Sequence, residues 1–211
     1  AVFDHLVDKI VNETDGHVGT GLVGGQWLNR VLTAGGRPDL SYGFATNTTY
    51  PSWGYMVEQG ATTMWELWNG DTADPAMNSR NHVMLVGDLV ICLYECVAGI
   101  RSDPAKPGFK HILMRPHPVG DLQWVKASHD SPYGLIKSEW KREESVFQWD
   151  VTIPPSSSAT VWIPARQNAN VRESGQPAGQ ARGVESLGRK DGRAMLRLGS
   201  GTYHFESSLE N

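Results

Sequence analysis

Apolar side chains at Phe3, Leu6, Val7, Ile10 and Val11 recur at spacings of three and four, the period of one helix face. A second helical run, Leu22 to Leu32, is bounded by Gly21 and by Gly35-Gly36-Arg37-Pro38, a stop signal. Within the stretch Ser41 to Gln59, Pro51 is a favoured first-turn residue, so a helix is expected to begin near it. The longest helix is expected from Asn81 to Ile100. Between Gly60 and Arg80, turn formers mix with Trp without any period, which predicts a loop. After Pro104 the pattern changes. Pro104, Pro107, Gly108, Pro116, Pro118 and Gly120 punctuate a linker. Alternation then predicts strands over 122–127, 135–142, 146–153 and 159–163, and two more between Ala194 and Phe205. Segments 131–134, 154–158 and 173–177 read as turns.

The chain is therefore expected to be an α+β multidomain protein. Residues 1–105 supply about four helices with short connections, which fit an antiparallel helical barrel or bundle. Residues 106–211 supply short strands at the spacing of an antiparallel β-sandwich. Four helices are too few to close a six-pair toroid. The chain also enters a helical pattern at Ala1 with no initiator Met, charged leader or cleavage site, so it is expected to be a piece of something longer.

Composition narrows the function. A net charge of −4 over 211 residues supplies no basic stripe for a nucleic-acid backbone. The apolar stretch from Val83 to Ile100 is interrupted by Asp88 and Glu95, which reads as a buried helix and not a membrane span. Cys92 and Cys96 lie four apart on it, a spacing with poor disulfide geometry and no companion pair for zinc, so two buried thiols are expected. The compartment, periplasmic, secreted or cytoplasmic, stays open.

The densest chemistry lies between Tyr50 and Asp74. It holds Trp53, Trp65 and Trp68 with the carboxylates Glu58, Glu66, Asp71 and Asp74. Indole faces stack on the apolar face of a pyranose while carboxylates take its hydroxyls, and glycoside hydrolysis needs two carboxyl groups in different protonation states. The competing reading makes Trp65 and Trp68 core aromatics three apart, with Glu66 pointing to solvent between them. His82, opening the long helix, is either a hydrogen-bonding group for a sugar hydroxyl or a surface or capping residue. Thr20, after Asp15-Gly16-His17, is placed to cap the second helix. No Ser sits in a nucleophile elbow, and Gly24-Gly25 follows no strand as a nucleotide loop would. Asp71 and Asp74 make at most a weak cation loop. Trp124, Trp140, Trp149 and Trp162 in the β part are expected to be core.

Tyr50-Pro-Ser-Trp-Gly-Tyr55 followed by Gly60-Ala-Thr-Thr-Met-Trp-Glu66 resembles a signature stretch of the bacterial α-L-rhamnosidase family of glycoside hydrolases. Gly16-His-Val-Gly-Thr-Gly21, Asn81-His82, Met114-Arg-Pro116 and Ser131-Pro-Tyr-Gly-Leu-Ile136 are also similar to that family, and the likeness covers most of residues 14–165. The resemblance implies the end of an (α/α)6 barrel followed by a C-terminal β-sandwich, inversion at the anomeric carbon, and no cofactor. It implies Glu66 as the general base on water, Trp65 as a wall of the rhamnose subsite and His82 as a substrate-binding residue. Trp53 and Trp68 are further candidates for substrate binding. The family's general acid lies in an upstream motif with no match here, so the isolated chain is expected to be inactive. Implied partners are a rhamnose-containing glycoside and the upstream half of the catalytic domain, with self-association through uncovered apolar faces a further expectation. No nucleic acid and no membrane is expected as a partner. Two alternatives stay open: another inverting (α/α)6 glycosidase, and a non-catalytic carbohydrate-binding or structural module.

Overall fold

The computed structural model describes residues 1–209, apart from the side chains of Leu22 and Val86. The chain divides into two compact units, Ala1–Cys92 and Leu93–Asn211.

The first unit is helical. Helix α1 (Val2–Asp8) continues into a π-helical turn at Lys9–Glu13, followed by α2 (Leu22–Ala34), α3 (Pro38–Thr46), α4 (Trp53–Glu58) and α5 (Val83–Cys92). Helix α2 packs against α3 and α5, and α3 against α4. The core gathers Ile10, Val18, Leu28, Leu32, Phe44 and Trp53. Helix α3 has no counterpart among the expected elements. The Gly-Gly-Arg-Pro signal ends α2, but Gly36 turns the chain at φ +88° and Pro38 then occupies the first turn of the next helix. Helix α4 starts two residues after Pro51, because the Ser52 hydroxyl caps it by accepting from the Tyr55 amide at 3.0 Å. Thr20 does not cap α2; Gly21 takes that place and the Thr20 hydroxyl is buried. On α2, Val23, Trp27 and Val31 recur every four residues and stand exposed, an apolar stripe without cover inside this unit. No helix among the described residues is long and apolar enough to cross a membrane.

The second unit opens with a π-helical turn at Leu93–Val97 and then becomes all β. Strand β1 spans Ile100–Ser102, β2 His111–Met114, β3 Trp124–Ser131, β4 Gly134–Glu143, β5 Val146–Ile153 and β6 Ser158–Pro164. The short β7 (Arg172–Glu173) and β8 (Gln176–Pro177) precede β9 (Val184–Lys190), β10 (Arg193–Leu198) and β11 (Gly201–Ser208). One sheet runs β1-β2-β6-β10-β9 and the other β3-β4-β5-β11-β7-β8. Their pairings are antiparallel except β2 with β6. Inward residues of both sheets, among them Ile112, Trp140, Phe147, Trp149, Val161 and Phe205, form one sandwich core. Strand β2 lies inside the Pro- and Gly-rich stretch read as linker; four residues are too few to show a period. Trp140 and Trp149 are core, as expected, but Trp124 is 63% exposed. It sits on edge strand β3, where its neighbour Val125 takes the inward position.

The helical lead-in is fastened to the sandwich through buried polar groups. The Trp149 indole N–H donates to Ser138 Oγ (2.9 Å), whose hydroxyl donates to the Ala98 carbonyl (2.7 Å). The Trp140 N–H donates to the Val97 carbonyl (3.0 Å), and His117 Nδ1 donates to that of Cys96 (2.9 Å). Cys92 and Cys96 are buried thiols. Arg193 donates to the carbonyls of Pro116 (2.7 Å) and Trp162 (3.2 Å); its burial pushes the guanidinium down to about 10. Gly99 passes this junction at φ +77°, and a Cβ there would lie 2.3 Å from the Pro116 nitrogen.

Gly99→Ala is therefore expected to cost about 2 kcal/mol or more, from the strained φ and from the clash. A thermal melt checks it, and an unchanged midpoint would contradict this account of the junction. Burial, then Arg193, push His117 from its ordinary 6.5 down to about 4. The unfolded chain thus takes up a proton below pH 6.5 that the folded chain takes up only near 4. Stability is fully present above 6.5 and falls as pH drops through that window, by at most about 3 kcal/mol. Denaturant midpoints between pH 7 and 4 should show this slope, reduced in His117→Asn.

Candidate functional site

The segment between α4 and α5 has no regular secondary structure, as expected, yet it is not loose. Its two arms fold back on each other. The Glu66 amide donates to the Ser79 carbonyl (2.8 Å) and the His82 amide to the Met64 carbonyl (2.7 Å). The Thr63 hydroxyl donates to the Arg80 carbonyl. Asn78, buried at 8% exposure, accepts from the Leu67 amide (3.1 Å) and donates to the Gly70 carbonyl (3.4 Å). Backbone groups that a loop would leave to water are satisfied within the loop, which fixes its course.

Glu66 sits at the centre of this pairing. Its carboxylate accepts from the Ser79 amide at 3.1 Å, the one hydrogen bond to that carboxylate among the described residues. The side chain is partly exposed. A backbone donor on one oxygen orients the group while the other is left for a ligand or water.

The rings around it differ in role. Trp65 is 5% exposed, and a Cβ on Gly70 would come within 2.6 Å of its indole, so the glycine lets the ring lie flat against the loop backbone. Trp68 is half-buried and meets Trp53 edge to face, centroids 5.0 Å apart at 88°. The Trp68 N–H donates to the Thr20 carbonyl (3.0 Å). Trp53, 2% exposed, is a member of the helical core. These aromatics are thus partly core, as the competing reading of the sequence had it, while Glu66 is tethered and not simply turned to solvent.

His82 stands immediately before α5 and is half-buried, with its Nδ1 buried and unbonded among the described residues. Asp71 Oδ1 is in the same condition, while its Oδ2 accepts from the Tyr55 hydroxyl at 3.1 Å. Loss of solvation and then the Asp71 carboxylate raise the Tyr55 pKa. Asp88 on α5 is raised by burial, against the pull of Arg30. His17 is held at both ring nitrogens, Nδ1 donating to the Thr14 carbonyl (2.9 Å) and Nε2 meeting Thr49 Oγ1 (2.7 Å) and Asn47 Nδ2 (3.1 Å). That fixes the turn ahead of α2. No group of three or more His, Cys, Asp or Glu among the described residues could hold a metal ion, Asp71 and Asp74 included.

The structure brings Glu66, Trp65 and Trp68 onto one clamped loop and joins His82 to it through Met64. Asn78 and Ser79, which hold that loop, are not among the residues the sequence singles out. Their partners lie 11 to 13 residues away in an aperiodic stretch, and the one available signal is the richness of the segment in short polar side chains.

Residues 1–97 match the model of the bacterial alpha-L-rhamnosidase 6 hairpin glycosidase domain, and residues 99–178 that of the bacterial alpha-L-rhamnosidase C-terminal domain. The chain is 33% identical over 210 residues to an alpha-L-rhamnosidase of Streptomyces avermitilis, covering 97% of this chain and 19% of that one. It is 35% identical over 162 residues to one from an Alteromonas species, covering 74% and 17%. It superposes on an alpha-L-rhamnosidase structure from Dictyoglumus thermophilum with a TM-score of 0.85 at 32% identity, over 98% of this chain and 23% of that one. Against the Streptomyces avermitilis enzyme complexed with L-rhamnose the TM-score is 0.86 at 31% identity, over 97% and 19%. The chain thus spans about a fifth of the length of the curated relatives it matches. With both of its units matched in order, the chain belongs to the bacterial α-L-rhamnosidase family and carries part of the six-hairpin glycosidase domain followed by the C-terminal β domain.

Proposed function

We propose that this chain is the base-bearing part of an inverting glycosidase that removes terminal α-L-rhamnose. The observation that carries the reading is the Glu66 carboxylate, oriented by the Ser79 amide on a loop that also carries Trp65 and Trp68 and is clamped along its length. A fixed, partly accessible carboxylate suits a general base that takes a proton from water. In the inverting mechanism that water attacks the anomeric carbon from the face opposite the leaving group. The C–O bond to the aglycone breaks with its electron pair, and a second carboxyl group protonates the departing oxygen.

Glu66 is the base in this reading. In this reading Trp65 walls the sugar on the side of its 6-deoxy carbon, and His82 hydrogen-bonds a sugar hydroxyl. Trp68 borders the same site, and Trp53 acts through it by holding its ring edge to face. The general acid lies outside residues 1–211, in the upstream part of the barrel. The exposed stripe Val23, Trp27 and Val31 is the kind of surface such a part would cover, and self-association would cover it too. The substrate class is a rhamnose-containing glycoside or polysaccharide.

Hydrolysis of p-nitrophenyl α-L-rhamnoside tests the reading. The chain alone should release no nitrophenol, and the mixture with the upstream half should. Proton NMR of the first turnovers should then show β-L-rhamnose before mutarotation. Turnover by residues 1–211 alone would place the acid within them, and α-L-rhamnose as first product would overturn inversion.

A further inference from the structure

The outward face of the six-stranded sheet carries a groove of about 570 Å³ that the glycosidase reading does not use. At its edge stands Trp124, the exposed indole noted above. Strand register sets the residues beside it. One outward row runs from Trp124 through Lys141 and Gln148 to Glu206. The next runs from Lys126 through Glu139 and Asp150 to His204. Outward neighbours across such strands lie roughly 5 Å apart, so each row is a ladder of polar groups leading away from the ring.

The polar groups are also organised. Gln148 Nε2 donates to Glu206 at 3.3 Å, and His204 Nδ1 meets Asp150 Oδ1 at 2.6 Å. Each bond orients a planar side chain and leaves its other donor or acceptor atoms outward. Charge along the groove is balanced, with Lys126, Lys141 and Arg142 against Glu139, Glu143 and Asp150. An anionic chain would need a positive surplus there. A flat apolar ring at one end of a ladder of oriented amide, carboxylate and imidazole groups matches a neutral saccharide chain, one sugar of which presents its C–H face to the indole while the hydroxyls of the following sugars meet the ladder.

We propose that this face is a second, non-catalytic binding site for a neutral saccharide chain, with Trp124 as its stacking platform and Gln148, Asp150 and His204 as its hydroxyl-binding groups. The site lies wholly within the β unit and is independent of Glu66. It would hold an extended glycan while another part of that glycan is cut.

Saturation-transfer NMR on the 211-residue chain tests this, with methyl α-L-rhamnoside, cellohexaose, mannohexaose, xylohexaose and hexagalacturonate as probes. At least one neutral probe should receive saturation from the protein, and hexagalacturonate should not. Trp124→Ala should weaken that binding by roughly tenfold or more, as truncation of an aromatic anchor does. Gln148→Ala should weaken it less. An unchanged melting curve for Trp124→Ala, expected for so exposed a ring, separates lost binding from lost fold. Glu66→Gln should leave the binding intact, and in the full-length protein Trp124→Ala should leave p-nitrophenyl rhamnoside hydrolysis intact. Failure of hydrolysis therefore bears only on the catalytic reading. Absence of binding by every neutral probe, binding that survives Trp124→Ala, or preference for the anionic hexamer would each overturn the proposal.

Discussion

Glu66 and Ser79 hold each other twice, amide to carbonyl and amide to carboxylate, and the candidate catalytic loop depends on that exchange. The loop has no helix or strand to order it, so its backbone must find partners within itself. Thr63 with Arg80, Met64 with His82, and Leu67 with Asn78 extend the pairing on both sides. The consequence is chemical. A carboxylate meant to take a proton from water must be held in one place, and here the group that fixes the loop also fixes the proposed base. The same ladder ties the residue preceding α5 to the loop and so sets His82 beside it in the chain's local order.

The β unit uses a different device for a similar end. Its core contains Trp140 and Trp149, and indole N–H groups cannot be buried unpaired without cost. Trp140 and Trp149 discharge theirs onto Val97 and, through Ser138, onto Ala98. The polar atoms of the core thereby fasten the segment that enters the sheet. Gly99 is the position where this segment meets Pro116 too closely for any side chain. A buried neutral His117 closes the same junction.

Much of this is legible in the residues alone, and the failures have physical causes. Strand β5 is expected at its observed bounds because Phe147, Trp149, Val151 and Ile153 alternate with polar residues and one face is buried. Helix α1 emerges from its period. Helix α3 does not, since the same Gly-Gly-Arg-Pro that ends one helix begins the next, and a stop signal does not mark whether a loop or a new helix comes after it. Strand β2 is hidden by the prolines around it. The catalytic candidate Glu66 comes from family likeness, whereas the clamp that holds it comes only from structure, because Asn78 and Ser79 act across a loop without periodicity. Trp124 and Trp162 are expected in the core because they alternate with polar residues, but alternation does not say which face is inward: Trp124 is exposed on an edge strand and Trp162 is half-buried.

The central claim is that Glu66 is the base. The most direct measurement is steady-state hydrolysis of an aryl α-L-rhamnoside by the full-length protein with Glu66 replaced by Gln, which keeps the shape and the hydrogen bond to Ser79 but cannot accept a proton. The account predicts a fall in kcat of roughly a thousandfold, within the span that general-base catalysis supplies, with KM changed little. A variant that retained the original kcat would contradict it.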